Sequence, residues 1–215
     1  LPGLGFTYEA NNDNQVYGGI HMGMAPPTVG DAGYRQISNL KSQKSFNFEL
    51  GLINNSFENK LGLTFETAAF RTVERNRPVK SSLRTAGTGS TLKNIGTTFS
   101  DGLEFSANWD QSRYSKNLQN WFATLSYSFM YPKLKTHQKG ERSSSDAGTP
   151  IIVDDIYEND IPFVPRHKGL VTVGYGMLNK WDISTTARYR GEYFTDIDNT
   201  KGIGQSGRWG QVDDH

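Results

Sequence analysis

Eight short stretches of this 215-residue chain alternate apolar and polar side chains, and the gaps between them run short, long, short, long. The clearest is Leu61–Phe70, with Leu61, Leu63, Phe65, Thr67 and Ala69 in one phase and Gly62, Thr64, Glu66 and Ala68 in the other. Successive side chains of a strand point to opposite faces, so this segment has an apolar face and a polar, charged one. Two architectures carry that pattern. One is a soluble β-sandwich; the other is a transmembrane barrel with lipid outside and water inside.

The remaining runs keep the same rhythm. Leu4, Phe6 and Tyr8 are followed by a turn at Asn11-Asn12-Asp13, and then Val16, Gly18, Ile20, Met22 and Met24 oppose Tyr17, Gly19, His21 and Gly23. A long loop from Ala25 to about Lys44 precedes Phe46, Phe48, Leu50 and Leu52, and the Asn54–Asn59 turn leads into Leu61–Phe70. A second long loop, Arg71 to about Thr98, gives way to Leu103, Phe105, Ala107 and Trp109. The polar connection Asp110–Asn120 leads to Trp121, Ala123, Leu125, Tyr127, Phe129 and Tyr131, and a third long loop covers Pro132 to Arg166. Val171, Val173 and Tyr175 turn through Leu178-Asn179-Lys180 into Trp181, Ile183, Thr185, Ala187 and Tyr189.

Tight turns at one end and long excursions at the other mark an outer-membrane barrel, and each run is near the ~9–11 residues that cross a bilayer when tilted. The prediction is therefore all-β: eight antiparallel strands over residues 4–190, one segment of a transmembrane barrel. Leu61, Leu63, Phe65, Leu103, Phe105, Trp121, Leu125, Val171 and Ile183 share a phase and are predicted to face lipid. Tyr8, Trp109, Trp121, Tyr131, Tyr175, Trp181 and Tyr189 sit near the ends of the apolar stripes, as interfacial girdles do.

Composition narrows the classes. The 23 Lys and Arg against 22 Asp and Glu give no bulk attraction to nucleic acid. No cysteine is present, which excludes a disulfide framework, a thiolate metal site and a cysteine nucleophile. No apolar run reaches the roughly 20 residues of a membrane helix. The mean hydropathy of −0.61 suits a barrel as well as a soluble protein, because half of each strand faces water. The opening Leu1-Pro2-Gly3 has no initiator Met, and the chain is expected to be a fragment.

Several phrases resemble the C-terminal barrel of TonB-dependent outer-membrane receptors. Tyr17-Gly18-Gly19-Ile20-His21-Met22-Gly23-Met24-Ala25-Pro26-Pro27 resembles a strand that ends in an "APP" turn. Leu40–Gly51 is similar to the phrase "LKPEKSxxxELG", with Ser42 and Gln43 in place of Pro and Glu. Asp101-Gly102-Leu103-Glu104 is similar to an "xGxE" strand start, and Ile161–Lys168 resembles "lPyvPrHk". Leu1–Leu4 and the segment Arg188 to Asn199 are most similar to the ferric-citrate-type branch. The resemblance implies residues 1–215 as part of a 22-stranded barrel domain, without the plug and TonB box that such receptors carry N-terminally. It further implies a monomeric receptor in the bacterial outer membrane that binds a ferric chelate, a siderophore or ferric citrate, and imports it with energy from the TonB complex acting on the plug. The alternative is a non-transporting barrel or sandwich used for binding or adhesion.

Candidate chemistry is sparse. Between Arg71 and Lys93, six basic residues (Arg71, Arg75, Arg77, Lys80, Arg84 and Lys93) meet a single acid, Glu74. Arginine donors suit carboxylate and phosphate groups, so Arg71, Arg75, Arg77, Lys80 and Arg84 are the candidate contacts for an anionic ligand, with a solvated loop or pairing to lipopolysaccharide phosphates as the alternatives. Asp154, Asp155, Glu158 and Asp160 form an acidic patch without calcium-loop spacing and are expected to be a solvated loop. Thr195–Asn199 is a similarly weak calcium-like string, and His21, His137, His167 and His215 lack paired metal spacing. His167 is expected to be structural. Gly87 and Gly89 make no phosphate fingerprint, and no nucleophile elbow is present, so neither a cofactor nor an enzymatic activity is expected.

Overall fold

The alternating stretches pair in chain order into one eight-stranded antiparallel sheet. The strands are β1 (Gly3–Asn11), β2 (Asn14–Ala25), β3 (Gln43–Phe57), β4 (Leu63–Arg75), β5 (Thr97–Asp110), β6 (Gln119–Leu134), β7 (His167–Met177) and β8 (Trp181–Arg190). The computed structural model describes residues 2–26, 40–80, 92–94, 96–116, 119–137, 139–143, 150–177, 180–195, 197, 199, 201 and 211–215.

Register carries the alternation from strand to strand. Leu4, Ile20, Phe48, Arg71, Asp101 and Tyr131 form one cross-strand row. Phe6, Gly18, Leu50, Ala69, Leu103, Phe129 and His167 form the next on the same face. The other face carries rows such as Glu66, Ser106, Ser126, Leu170 and Arg188. All residues predicted to face lipid fall on the apolar face except Leu61. A short helix, α1 (Glu58–Leu61), takes that residue out of the sheet. It ends on Gly62 at φ 68, where a Cβ would stand 2.0 Å from the Asp110 carbonyl oxygen, so glycine closes this turn for both backbone and space.

Among the described residues nothing covers the apolar face. Leu4 is 77% exposed and Ile183 68%. Buried apolar side chains among the described residues are Ala68, Leu134, Ile156, Ile161 and Ile197, and the last four form a cluster at the long-loop end. The sheet therefore has no conventional core, and hydrocarbon outside is the medium its apolar face fits.

Strand limits differ from the alternation. β4 continues to Arg75, so the second long connection begins after that residue and holds a small ribbon, Pro78–Lys80 with Leu92–Asn94. β6 continues through Pro132 to Leu134. The amides of Met130 and Leu134 donate toward Arg166 and Asn159, and β7 starts opposite Phe129. Pro132 thus occupies a position on that side where no ladder donor is needed. The third long connection contains a ribbon of Lys139–Ser143 with Pro150–Asp155. The Asp110–Asn120 connection holds a 3-10 turn, with the Asp110 carboxylate accepting from Ser112 N at 2.8 Å.

Three aromatic residues break the polar phase, and each lies over a cross-strand glycine. Tyr17 covers Gly51, Phe70 covers Gly102 and Phe122 covers Gly174. A Cβ on Gly102 would meet the Phe70 ring at 2.3 Å and the Phe129 carbonyl oxygen at 2.6 Å. Gly102→Val should therefore destabilise the complete barrel by roughly 1–3 kcal/mol through overpacking. Heat-modifiable migration on gels should show a lower transition temperature, whereas an unchanged transition would mean that the ring moves aside freely. Placed alone in water, the chain should aggregate, because its apolar face has no lipid and β1 and β8 present bare edges. Sedimentation with and without detergent tests this, and a monodisperse, cooperatively melting species in water would contradict it.

Candidate functional site

The polar face carries the groups able to meet a soluble ligand. Near its middle, the Tyr17 hydroxyl donates to Glu66 Oε1 at 2.6 Å. Toward the long-loop end, Glu74 gathers Gln43 Nε2 at 2.8 Å, Arg77 Nη1 at 2.7 Å and the Thr98 hydroxyl at 3.3 Å. Thr72 donates to Asn47 Oδ1 at 2.9 Å. These contacts lock the upper part of β3, β4 and β5 and leave few loose carboxylates there.

Across the same face, β7 and β8 present three cations. Lys168 stands directly opposite Arg190, and Arg188 lies opposite Leu170 in the next polar-face row. All three are exposed. Arg190 extends over the Tyr193 ring at 6.0 Å. No ion pair joins any of the three to a carboxylate among the described residues. Like charges directly opposite each other in a sheet repel, and an anion between them relieves that repulsion.

Above this face the third long connection folds into a knot. Leu134 at the end of β6 packs with Ile156, Ile161 and Ile197, and Val164 leans on them. Asp160, 6% exposed, accepts a fork from Arg166 with both bonds at 2.9 Å and pairs with Lys133 Nζ at 2.6 Å. Lys133 also donates to the Glu158 carbonyl oxygen at 2.8 Å. The amide of Asp160 donates to Asn199 Oδ1 at 2.6 Å, and Asn199 Nδ2 returns a bond of 3.0 Å to the Asp160 carbonyl oxygen. Asn159 Nδ2 reaches the Ile197 carbonyl oxygen at 2.9 Å. The connection after β6 is thereby tied to the stretch after β8.

Charge reinforces the knot. The hydrogen-bonded Glu158 carboxylate pushes the Lys135 ammonium above its ordinary pKa, and the hydrogen-bonded Asp160 carboxylate does the same for the Arg166 guanidinium. His137 pairs with Asp155 and stacks on Tyr157 with ring centres 4.2 Å apart. Phe163, 63% exposed, holds φ 63, a left-handed conformation that bulky residues rarely adopt. Its backbone N–H donates to the Phe194 carbonyl oxygen at 2.7 Å, which helps to hold it there.

The acidic patch is therefore not the solvated loop that its composition suggests. Glu158 and Asp160 are each paired with a cation, Asp155 is hydrogen-bonded to the His137 ring, and Ile156 and Ile161 between and beside them are buried; the Asp154 side chain lies outside those described. Among the described residues no group of three His, Asp or Glu side chains is arranged to hold a metal. Asp196 and Asp198 of the second acidic string, and Gly87 and Gly89, lie outside the described residues. His167 accepts or donates a 2.7 Å bond with the Tyr127 hydroxyl and leans on Phe129 with ring centres 5.1 Å apart.

The structure does not bring the five basic candidates to one place. Arg71 lies on the apolar face, bound to Asp101 by bonds of 2.6 and 2.7 Å. Arg75 is on that face too, over the Phe46 ring at 5.7 Å. Arg77 is paired with Glu74. Lys80 lies in the ribbon at Pro78–Lys80, and Arg84 is outside the described residues. The sequence reading missed Lys168, Arg188 and Arg190 as a set. Arg188 and Arg190 share a phase that the alternation displays, but their partner Lys168 is revealed only by the β7–β8 register.

Asp160→Asn should leave buried Lys133 and half-buried Arg166 without a counter-charge and weaken the knot by about 3 kcal/mol. Hydrogen exchange on the complete barrel should show faster exchange at residues 156–166, with β1 to β5 unchanged. Equal exchange in both proteins would show that the apolar cluster alone holds the knot.

Comparison with known proteins follows the same outline. A family model described as TonB dependent receptor-like, beta-barrel, matches residues 1–213. The fold is similar to that of the siderophore receptor PiuA from Acinetobacter baumannii, with a TM-score of 0.68 at 19% identity over 99% of this chain and 28% of that one. It is similar to the ferric citrate transporter FecA in its unliganded form, with a TM-score of 0.67 at 22% identity over 100% of this chain and 29% of that one. The ferric yersiniabactin uptake receptor FyuA from Yersinia pestis gives a TM-score of 0.60 at 20% identity over 92% and 26%. The chain thus spans under a third of the length of these structures.

Proposed function

Because this chain belongs to the TonB-dependent receptor-like β-barrel family, we propose that it forms part of the wall of a monomeric bacterial outer-membrane receptor that binds a ferric chelate outside and imports it with TonB-supplied energy. The observation that carries this reading is the sheet itself. Eight consecutive strands have one apolar and one polar face, and every long connection lies at one end. The apolar face meets lipid, the polar face lines the lumen, and the long connections lie outside the cell. The chain's task is passive: it supplies the wall and part of the mouth. The moving part on which TonB acts belongs to a plug contributed by another part of the receptor.

The chemistry favours an anionic chelate. Lys168, Arg188 and Arg190 face the lumen, and carboxylate-rich iron complexes carry the charge that suits them. By sequence, the second long connection carries Arg77, Lys80 and Arg84, of which Arg77 is paired with Glu74. Arg75, on the apolar face, acts on such a ligand only through the field it adds at the rim, where Arg71 is neutralised by Asp101. That field is screened over about 8 Å at physiological salt, so the rim chiefly speeds capture while the lumenal cations hold the ligand.

The test is chelate binding to the complete receptor. Ferric citrate and a neutral ferric siderophore should be compared by stopped-flow quenching across ionic strengths, with uptake measured in iron-limited cells. Arg71, Arg75, Arg77 and Arg84 changed together to Gln should slow association of the anionic chelate several-fold at low salt and little at high salt. Lys168, Arg188 and Arg190 changed together to Gln should raise the dissociation rate instead. A receptor that binds neither chelate and supports no uptake would favour an adhesion or binding role.

A further inference from the structure

The polar face of the sheet is divided by charge, strand by strand. On β1 to β5 no Lys or Arg stands in the polar phase, and the acids there are Glu9, Glu49, Glu66, Glu74, Glu104 and Asp110. Glu74 is paired with Arg77, and Asp110 caps its own turn. Glu9, Glu49, Glu66 and Glu104 have no ion pair with a cation among the described residues. β7 and β8 are the reverse. Lys168, Arg188 and Arg190 stand in their upper half, and Asp182, at the tight-turn end, is the one acid of these two strands in the polar phase. β6 lies between the two groups and presents Thr124, Ser126 and Ser128 at these levels.

Register makes the division explicit. One row runs Glu104, Ser128, Lys168, Arg190, and the next runs Glu66, Ser106, Ser126, Leu170, Arg188. Acid and cation are two strand spacings apart in the first row and four in the second, about 10 Å and about 19 Å. They are too far apart to pair, and their fields add across a narrow tube with low-dielectric walls. The row beneath is uncharged: Thr64, Asn108, Thr124, Thr172 and Thr186. The Thr124 hydroxyl donates to Asn108 Oδ1 at 3.2 Å, and the Thr172 and Thr186 hydroxyls share a bond of 2.9 Å. Ser184 comes next on β8, and then Asp182.

We propose that anionic cargo leaves the lumenal cations along β6, β7 and β8, a lane of hydroxyls bounded on one side by the carboxylates of β3 to β5. Those carboxylates, Glu49, Glu66 and Glu104, repel an anion from the rest of this wall. The hydroxyls donate to an anion without gripping it as a guanidinium does, and passage needs contacts weak enough to leave. Asp182 repels the anion at the lower end, where release is needed. The proposal rests on the transport reading above. That reading says where the ligand is held; the lane is the side of the lumen by which it departs.

The test uses the complete receptor in detergent. This chain has no cysteine, so Thr186→Cys on β8 and Thr64→Cys on β4 place single thiols in one row, at one depth, in a receptor otherwise freed of cysteine. The probes are the anionic sulfonatoethyl and the cationic trimethylammonioethyl methanethiosulfonates. At low salt the anionic-to-cationic rate ratio should be about tenfold higher at residue 186 than at residue 64, and the difference should shrink at high salt. Equal ratios, or no reaction at residue 186, would overturn the lane. Uptake by iron-limited cells at saturating ferric citrate tests passage itself. Thr172→Glu with Thr186→Glu should slow uptake about tenfold, and the Gln pair at the same positions should slow it far less. Thr7→Glu with Thr64→Glu, the same added charge on the acidic side, should leave uptake unchanged. Equal slowing by the Glu and Gln pairs would show a steric block, and equal slowing from the two sides a general effect of charge; either would overturn the lane. Heat-modifiable migration of every variant reports assembly. An unaltered receptor that neither binds nor imports ferric citrate would count against the transport reading, and the thiol ratios would still decide which side of the lumen anions favour.

Discussion

A backbone amide left bare in hydrocarbon costs several kcal/mol, and the unbroken hydrogen-bond ladder from β1 to β8 answers that constraint. Everything else in the chain is arranged around it. The ladder is two-sided, so each strand must alternate. It has no internal core, so stability comes from pairing along the strands and from the lipid they face. Once register is set in one hairpin, a one-residue slip elsewhere would send Leu50 or Leu103 to the water side and Glu49 or Glu104 to the lipid side. The large energetic difference between those arrangements makes a single register dominate across eight strands.

The same constraint explains what could be read directly. The phase of Leu63, Phe65, Leu103, Phe105, Trp121, Leu125, Val171 and Ile183 needs no tertiary information, because lipid on one side and water on the other impose it residue by residue. The ends of strands are less legible. β3 has 15 residues and β6 has 16, more than the ~9–11 that a membrane requires. The surplus projects into water, where a strand can carry charge on either face. Arg71 and Arg75 therefore resemble loop residues in sequence while remaining in β4. The first of them is neutralised by Asp101, a residue 30 positions away that only register brings alongside.

The knot at the long-loop end was illegible for a different reason. Its apolar members, Leu134, Ile156, Ile161 and Ile197, are scattered singly among polar residues and share no period. The acids beside them read as surface because a sequence shows charge without showing its partner. Asp160 is buried only because Lys133 and Arg166 arrive from two different segments to meet it. Burial of that group, in turn, gives the mouth a rigid element where composition alone suggests a floppy one. The lumenal trio of Lys168, Arg188 and Arg190 lies between these cases, with phase visible and adjacency hidden.

The aromatic residues over Gly51, Gly102 and Gly174 have a consequence for the bore of the complete tube. A phenyl or phenol ring standing upright on a lumenal strand would project far toward the axis. Each of these rings instead lies down in the space that a missing Cβ leaves on the neighbouring strand. The wall keeps an aromatic surface at those rows yet stays thin. A methyl group on any of the three glycines would tip its ring inward and narrow the passage without adding a single atom to the ring itself.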